Sequence, residues 1–236
     1  MQQTIESGPA FAMATIDLDS EETVTVEAGS MMGMSDGLKI KTHIGGNKSG
    51  FFGAILNFFL ALIRKVLGGE TFFVNTYSPL QGQSGQVMIA PALTGDIVHY
   101  KMDDSTAMMV QASSYLASSG DITVKTKFGG FKSLFSGEGA FWLLISGEGD
   151  LWINSYGAVH EINVQGSYIV DTGHIVAFDD TLNYKIKGSG GLKQTLLSGE
   201  GLTCHFEGTG KLLIQSRNLG GLIHWISPMF RNTGGF

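Results

Sequence analysis

Val26-Glu27-Ala28-Gly29-Ser30 recurs as Val110-Gln111-Ala112-Ser113-Ser114 and again as Val170-Asp171-Thr172-Gly173-His174. Self-similarity of this kind decides an architecture before any single strand is assigned. In the same register and without a gap, Leu38-Lys39-Ile40-Lys41 falls on Ile122-Thr123-Val124-Lys125 and on Leu182-Asn183-Tyr184-Lys185. Each copy sets an apolar residue, a polar one, an apolar one and a lysine in order. That alternation is the period of a half-buried strand.

A second block follows in each copy, a glycine turn carrying a glutamate: Gly69-Glu70-Thr71, Ser136-Gly137-Glu138-Gly139 and Ser198-Gly199-Glu200-Gly201. Beyond the last two lie Gly149-Asp150-Leu151-Trp152-Ile153-Asn154-Ser155 and Gly210-Lys211-Leu212-Leu213-Ile214-Gln215-Ser216, each read as a strand that starts at its glycine. The first copy keeps a weaker version from Gly85 to Ala90. Tight reversals between strands often need positive φ, which glycine adopts cheaply, so these glycines read as structural. No Pro- or Ser-rich linker separates the copies. The expectation is one all-β body over residues 1–236, with internal repeats at about 10–100, 101–160 and 161–230 related by pseudo-threefold symmetry.

Composition agrees with that plan. Hydrophobic residues make up 43% of the 236 and charged residues 15%, with 34 glycines, which suits many short strands joined by glycine turns. The net charge of −6 argues against nucleic acid, because phosphate neutralisation needs clustered cations and the 15 lysines and arginines are scattered. Cys204 stands alone, so neither an internal disulfide nor a cysteine-built zinc site is available, and a buried thiol in a reducing compartment is expected. The segment from Met1 to Asp19 lacks the basic start and apolar run of a secretory signal, and a cytoplasmic location is the expectation.

The first copy differs from the others in the interval between its strand lysine and its Gly-Glu turn. The extra residues run from Phe51 to Leu67 between Gly50 and Gly68, and end near the cations Arg64 and Lys65. A helix of four to five turns inserted in a strand connection is expected there. It falls short of the roughly 20 apolar residues of a spanning helix.

The Val26 to Met32 pattern, Gly68-Gly69-Glu70 after an apolar segment, and the paired Ser-Gly-Glu-Gly turns resemble the altered-inheritance-of-mitochondria family, from about Phe11 to Phe230. The bacterial members of that family are largely uncharacterised, and their fold is similar to the barrel of the tryptophan RNA-binding attenuation protein (TRAP). The resemblance implies a TRAP-like double-stranded β-helix or β-sandwich with three repeats, the helix of the first repeat added to it, assembled as a homo-oligomer, a trimer or larger. It supplies no catalytic motif. RNA binding is not carried over, since this acidic chain offers only isolated lysines where the attenuation protein relies on a basic ring.

The residues offer little chemistry of their own. Lys41, Lys125 and Lys185 could converge on an anion, or point outward on the solvent face of each strand, which alternation favours. Glu70, Glu138 and Glu200 could ring a cation, or accept hydrogen bonds within their own turns, which neighbouring glycine amides favour. His43, His99, His160, His174, His205 and His224 show no metal-ligand spacing. Gly208-Thr209-Gly210-Lys211 and Gly188-Ser189-Gly190-Gly191 fall short of phosphate-loop and dinucleotide fingerprints, and no Gly-x-Ser-x-Gly elbow occurs.

The expectation is a non-catalytic interaction or scaffold protein without cofactor. The alternative is a small-molecule binding module or enzyme using a pocket between repeats. Phe51, Phe52, Ile55, Leu56, Phe58, Phe59, Leu62 and Ile63 exceed what one helix face can bury, and mark the candidate interaction surface. Three occupants are open: the chain's own core or a self-assembly interface, which is preferred, another protein, or a membrane surface. The apolar tail from Leu222 to Phe230 is expected to pack against a neighbouring repeat or subunit.

Overall fold

Alternation of more and less buried residues marks several strands. In β2 (Met13–Leu18), Ala14, Ile16 and Leu18 point inward, and in β7 (Gly85–Ile89) Val87 and Ile89 do the same. The computed structural model describes residues 1–44, 73–127, 142–188 and 202–231. Among these the chain is mostly β-sheet, seventeen strands in three sheets with one α-helix.

With β1 (Gln2–Glu6) and β4 (Met31–Met34), β2 and β7 form a four-stranded sheet in the order β1-β2-β7-β4. A six-stranded sheet joins β5 (Leu38–Ile44), β6 (Phe73–Pro79), β3 (Val24–Glu27), β10 (Tyr115–Gly120), β13 (Gly149–Asn154) and β8 (Ile97–Met102), in that order. The third sheet runs β11 (Thr123–Lys127), β12 (Trp142–Ser146), β9 (Met108–Gln111), β15 (Ile175–Asp179), β17 (Leu202–Gln215) and β14 (Val159–Asp171), with β16 (Asn183–Gly188) pairing β17 from the side. Every pairing between these strands is antiparallel.

The six-stranded sheet is the middle layer. Its Val24, Val26, Leu116, Ala117 and Trp152 pack on Ala14, Ile16, Leu18, Val87 and Ile89 of the first sheet. From its opposite face Tyr115, Leu151 and Ile153 pack on Val110, Leu143, Ile145, Val176 and Ala177 of the third. Strands β10 and β13, covered on both faces, are therefore buried along nearly their whole length instead of at alternate residues, and carry the buried polar residues Ser118, Ser119 and Asn154 among their apolar ones. A third core closes the far side of the third sheet, where Phe178 meets Trp142, Tyr184 and Phe206 edge-on at centroid distances of 5.3, 5.3 and 5.0 Å.

One pairing scheme recurs through the chain. β7 lies between β2 and β4, β13 between β8 and β10, and the C-terminal part of β17 between β14 and β15. Likewise β6 lies between β3 and β5, β12 between β9 and β11, and the N-terminal part of β17 between β14 and β16. The predicted strand start at Gly210 is a difference: β17 runs through it without a break. Gly166 and Gly208, paired opposite each other at φ of +106° and +127°, let the long antiparallel β14–β17 pair continue where the earlier strands are interrupted. Gly95, bridged to Gly157, is required by close approach, since a Cβ there would run into the Ser155 carbonyl.

Candidate interaction surfaces

The aligned lysines stand apart on separate strands. Lys41, Lys125 and Lys185 are exposed on β5, β11 and β16, each an outermost strand, and no hydrogen bond or ion pair among the described residues joins them. Each strand carries a second exposed lysine two residues away, Lys39, Lys127 and Lys187. Paired lysines on a sheet margin discourage a further strand from adding there, which accounts for their recurrence without an anion. Glu70, Glu138 and Glu200 lie outside the described residues, as do Phe51, Phe52, Ile55, Leu56, Phe58, Phe59, Leu62 and Ile63 with the helix expected there.

The main polar cluster gathers around Asp150 on β13. Its carboxylate accepts hydrogen bonds from His99 Nε2 at 2.8 Å, Lys101 Nζ at 3.1 Å and Ser119 Oγ at 3.2 Å, drawn from strands on both sides. Burial pushes the carboxyl up, but the hydrogen bonds from His99 and Lys101 and their charges prevail and hold it below the usual carboxylate range. The His99 ring stacks at 5.1 Å on Trp152, whose indole N–H donates to Gln3 Oε1 at 3.3 Å. Ser119 gives its proton to the carboxylate and not to His99, so the cluster lacks the nucleophile–base contact that acyl transfer needs. Its chemistry is that of a clamp across β8, β13 and β10.

Cys204 is buried, and burial pushes its thiol up to about 12, which makes it a packing residue at neutral pH. His174 is fixed by two bonds. Nδ1 donates to the Gln215 carbonyl at 2.7 Å, which leaves Nε2 to accept from Asn218 Nδ2 at 2.8 Å. Asn218 Oδ1 in turn accepts from the Gly221 amide at 2.5 Å and caps the helix α1 (Leu219–Arg231).

The helix α1 is a finding that the apolar tail did not announce as such. Leu222 and Ile226 are half-buried, whereas Leu219, Ile223, Trp225 and Met229 are exposed, Trp225 by 66%. The packing expected for this tail is thus only partial within the chain. No helix among the described residues is long and apolar enough to cross a membrane.

Among the described residues, two sheet margins carry exposed apolar residues and no lysine or arginine. The outer edge of β4 presents Met31, Met32 and Met34. The C-terminal half of β14, Ser167 to Asp171, presents Tyr168 and Ile169 on the margin of the third sheet. The N-terminal half of β14 is tied to its neighbours through Glu161, which accepts from Tyr100 Oη at 2.9 Å and lies 3.8 Å from Lys211 Nζ. Sequence reading missed both margins, because the alternation of a strand is the same whether or not its edge is occupied.

Comparison with known proteins places this arrangement. The chain is 29% identical over 222 residues to an uncharacterized protein of Streptococcus pyogenes serotype M6, with 93% of this chain and 87% of that protein covered. It is similar to the crystal structure of a Streptococcus pyogenes protein with a TM-score of 0.77 and 25% identity, covering 97% of this chain and 99% of the other. The family described as mitochondrial biogenesis AIM24 matches residues 3–217. The chain belongs to the mitochondrial biogenesis AIM24 family.

Proposed function

We propose that this protein is a non-catalytic, oligomeric interaction protein built from three copies of one six-strand unit. The first unit is β2 to β7 and the second β8 to β13. The third is β14 to β17, with β14 and β17 each standing for two strands. The recurrent pairing scheme supports this reading, as does the gapless alignment of Val26, Val110 and Val170. The observation that carries the function is the exposed apolar surface on β4, β14 and α1, beside a polar cluster around Asp150 that among the described residues is built as a structural clamp. Exposed apolar residues gathered on sheet margins and along one helix favour an interaction role over catalysis.

Native mass spectrometry, with light scattering of the eluting peak at tens of micromolar, tests the reading. The expected result is a multiple of the 25.2 kDa chain mass. A mass of one chain at every concentration counts against it.

A further inference from the structure

The two places where consecutive units meet have the same construction. β3 pairs β10 in the register Val26↔Ala117, Thr25↔Ser118, Val24↔Ser119. β9 pairs β15 in the register Val110↔Ala177, Met109↔Phe178, Met108↔Asp179. The alignment that carries Val26 to Val110 carries Ala117 to Ala177, so the second joint repeats the first residue for residue. Each joint joins the second strand of one unit to the third strand of the next.

Three units in a row leave one half of that joint at either end. Among the described residues, the third strand left without a partner on its outer edge is β4 of the first unit. The unpaired second strand is the C-terminal half of β14 in the third. Residues that the joints bury are exposed there. Leu116 and Val176 are fully buried, and Met32 at the same position of β4 is 56% exposed. Val24 and Met108 are buried, and Tyr168 at the same position is 41% exposed. β4 and β14 lie in the two outer sheets with the six-stranded sheet between them, so a single chain does not bring them together.

Resting on the three-unit reading above, we infer that the β4 edge of one chain pairs antiparallel with the C-terminal half of β14 of a second copy. The register is Gly33↔Val170, Met34↔Ile169, Ser35↔Tyr168. The joint is head-to-tail, so identical copies add in one direction, into a closed ring or an open row. Three features favour this occupant. Among the described residues there is one free copy of each complementary edge. The chain's internal joints supply the register. Both edges lack the lysines that guard β5, β11 and β16.

Ile169→Lys and Met34→Lys test it, because both side chains are exposed within the chain and each charge spoils one edge only. The wild type is expected at a multiple of 25.2 kDa and each variant at 25.2 kDa, with far-UV circular dichroism and melting temperature retained. Mixed one to one, the intact β4 edge of I169K meets the intact β14 edge of M34K, and a two-chain species with nothing larger is expected. A wild-type oligomer that either variant leaves unchanged overturns the inference while leaving the oligomeric reading standing. A mixture that stays at one chain mass also overturns it, and a monomeric wild type overturns both.

Discussion

Beside the outer strands β1 and β8, the described sheet margins include two contrasting kinds. β5, β11 and β16 are narrow outer strands with two exposed lysines apiece, whereas β4 and the end of β14 are outer strands with methionine, tyrosine and isoleucine where charge would be expected. Both kinds leave a row of backbone donors and acceptors open. Ammonium groups keep such a row from acquiring a further strand, since seating one would strip water from the charges. Under the proposed head-to-tail pairing, the guarded edges are ends of the structure and the unguarded ones are unfinished joints. Methionine suits a surface that must tolerate water before assembly and close packing afterwards, because its unbranched thioether adapts to either.

The largest effect that sharpens this contrast comes from the closed joint. Leu116→Ala is expected to cost about 2–5 kcal/mol in urea unfolding, through lost transfer energy and the cavity left behind. Met32→Ala, at the same position of the open edge, is expected to stay within about 0.5 kcal/mol when measured on the dissociated chain. Equal costs at the two sites would erase the distinction.

Next in size is the clamp across β8, β13 and β10. Asp150→Ala leaves His99, Lys101 and Ser119 without their acceptor, and a loss of about 1–3 kcal/mol at pH 7 is expected. The carboxyl of Asp150 titrates lower in the folded chain than its unfolded value of about 3.9. Its contribution is therefore complete above that value and lost as the pH falls through the folded one. Stability measured between pH 3 and 7 should fall less steeply in the variant. An unchanged acid limb would mean that the hydrogen bonds are not what holds Asp150 ionised.

The smallest effect on stability, and the most direct on the meaning of the lysines, comes from removing a guard. Lys125→Val with Lys127→Val is expected to change unfolding free energy by less than about 0.5 kcal/mol. Static light scattering should nevertheless rise with concentration, as the β11 edge becomes open to addition. Scattering equal to the wild type would leave the recurrent lysines unexplained.

Sequence reading reached the strands and stopped at their neighbours. The alternation in Leu38 to Lys41 and its two counterparts located β5, β11 and β16, because period two is a local property. Whether Lys41 guards an edge is set by strand order, which no window of residues contains. Gly210 read as a strand start because its counterpart Gly149 is one, yet the β14–β17 pairing runs unbroken past Gly210 and through the positive-φ glycines at 166 and 208. The helix α1 was hidden by Gly220, Gly221 and Pro228, all poor helix formers, although its apolar residues fall on one side. The clamp was invisible for another reason, since His99, Ser119 and Asp150 meet only across strands. The surface expected at Phe51 to Ile63 lies outside the described residues, and the exposed apolar residues of β4, β14 and α1 are additional to it.

Cross-linking by register tests the head-to-tail joint most directly. Opposed residues of an antiparallel pair have Cα atoms about 4.5–5.5 Å apart, within reach of a disulfide. Cys204, buried with its thiol pushed up to about 12, stays out of the reaction. Mixed and mildly oxidised, Met34→Cys and Ile169→Cys chains should yield a covalent two-chain product, while Met32→Cys with Ile169→Cys, two residues out of register, should yield little. Equal cross-linking of the two mixtures, or of either single variant with itself, would contradict the pairing of β4 with β14.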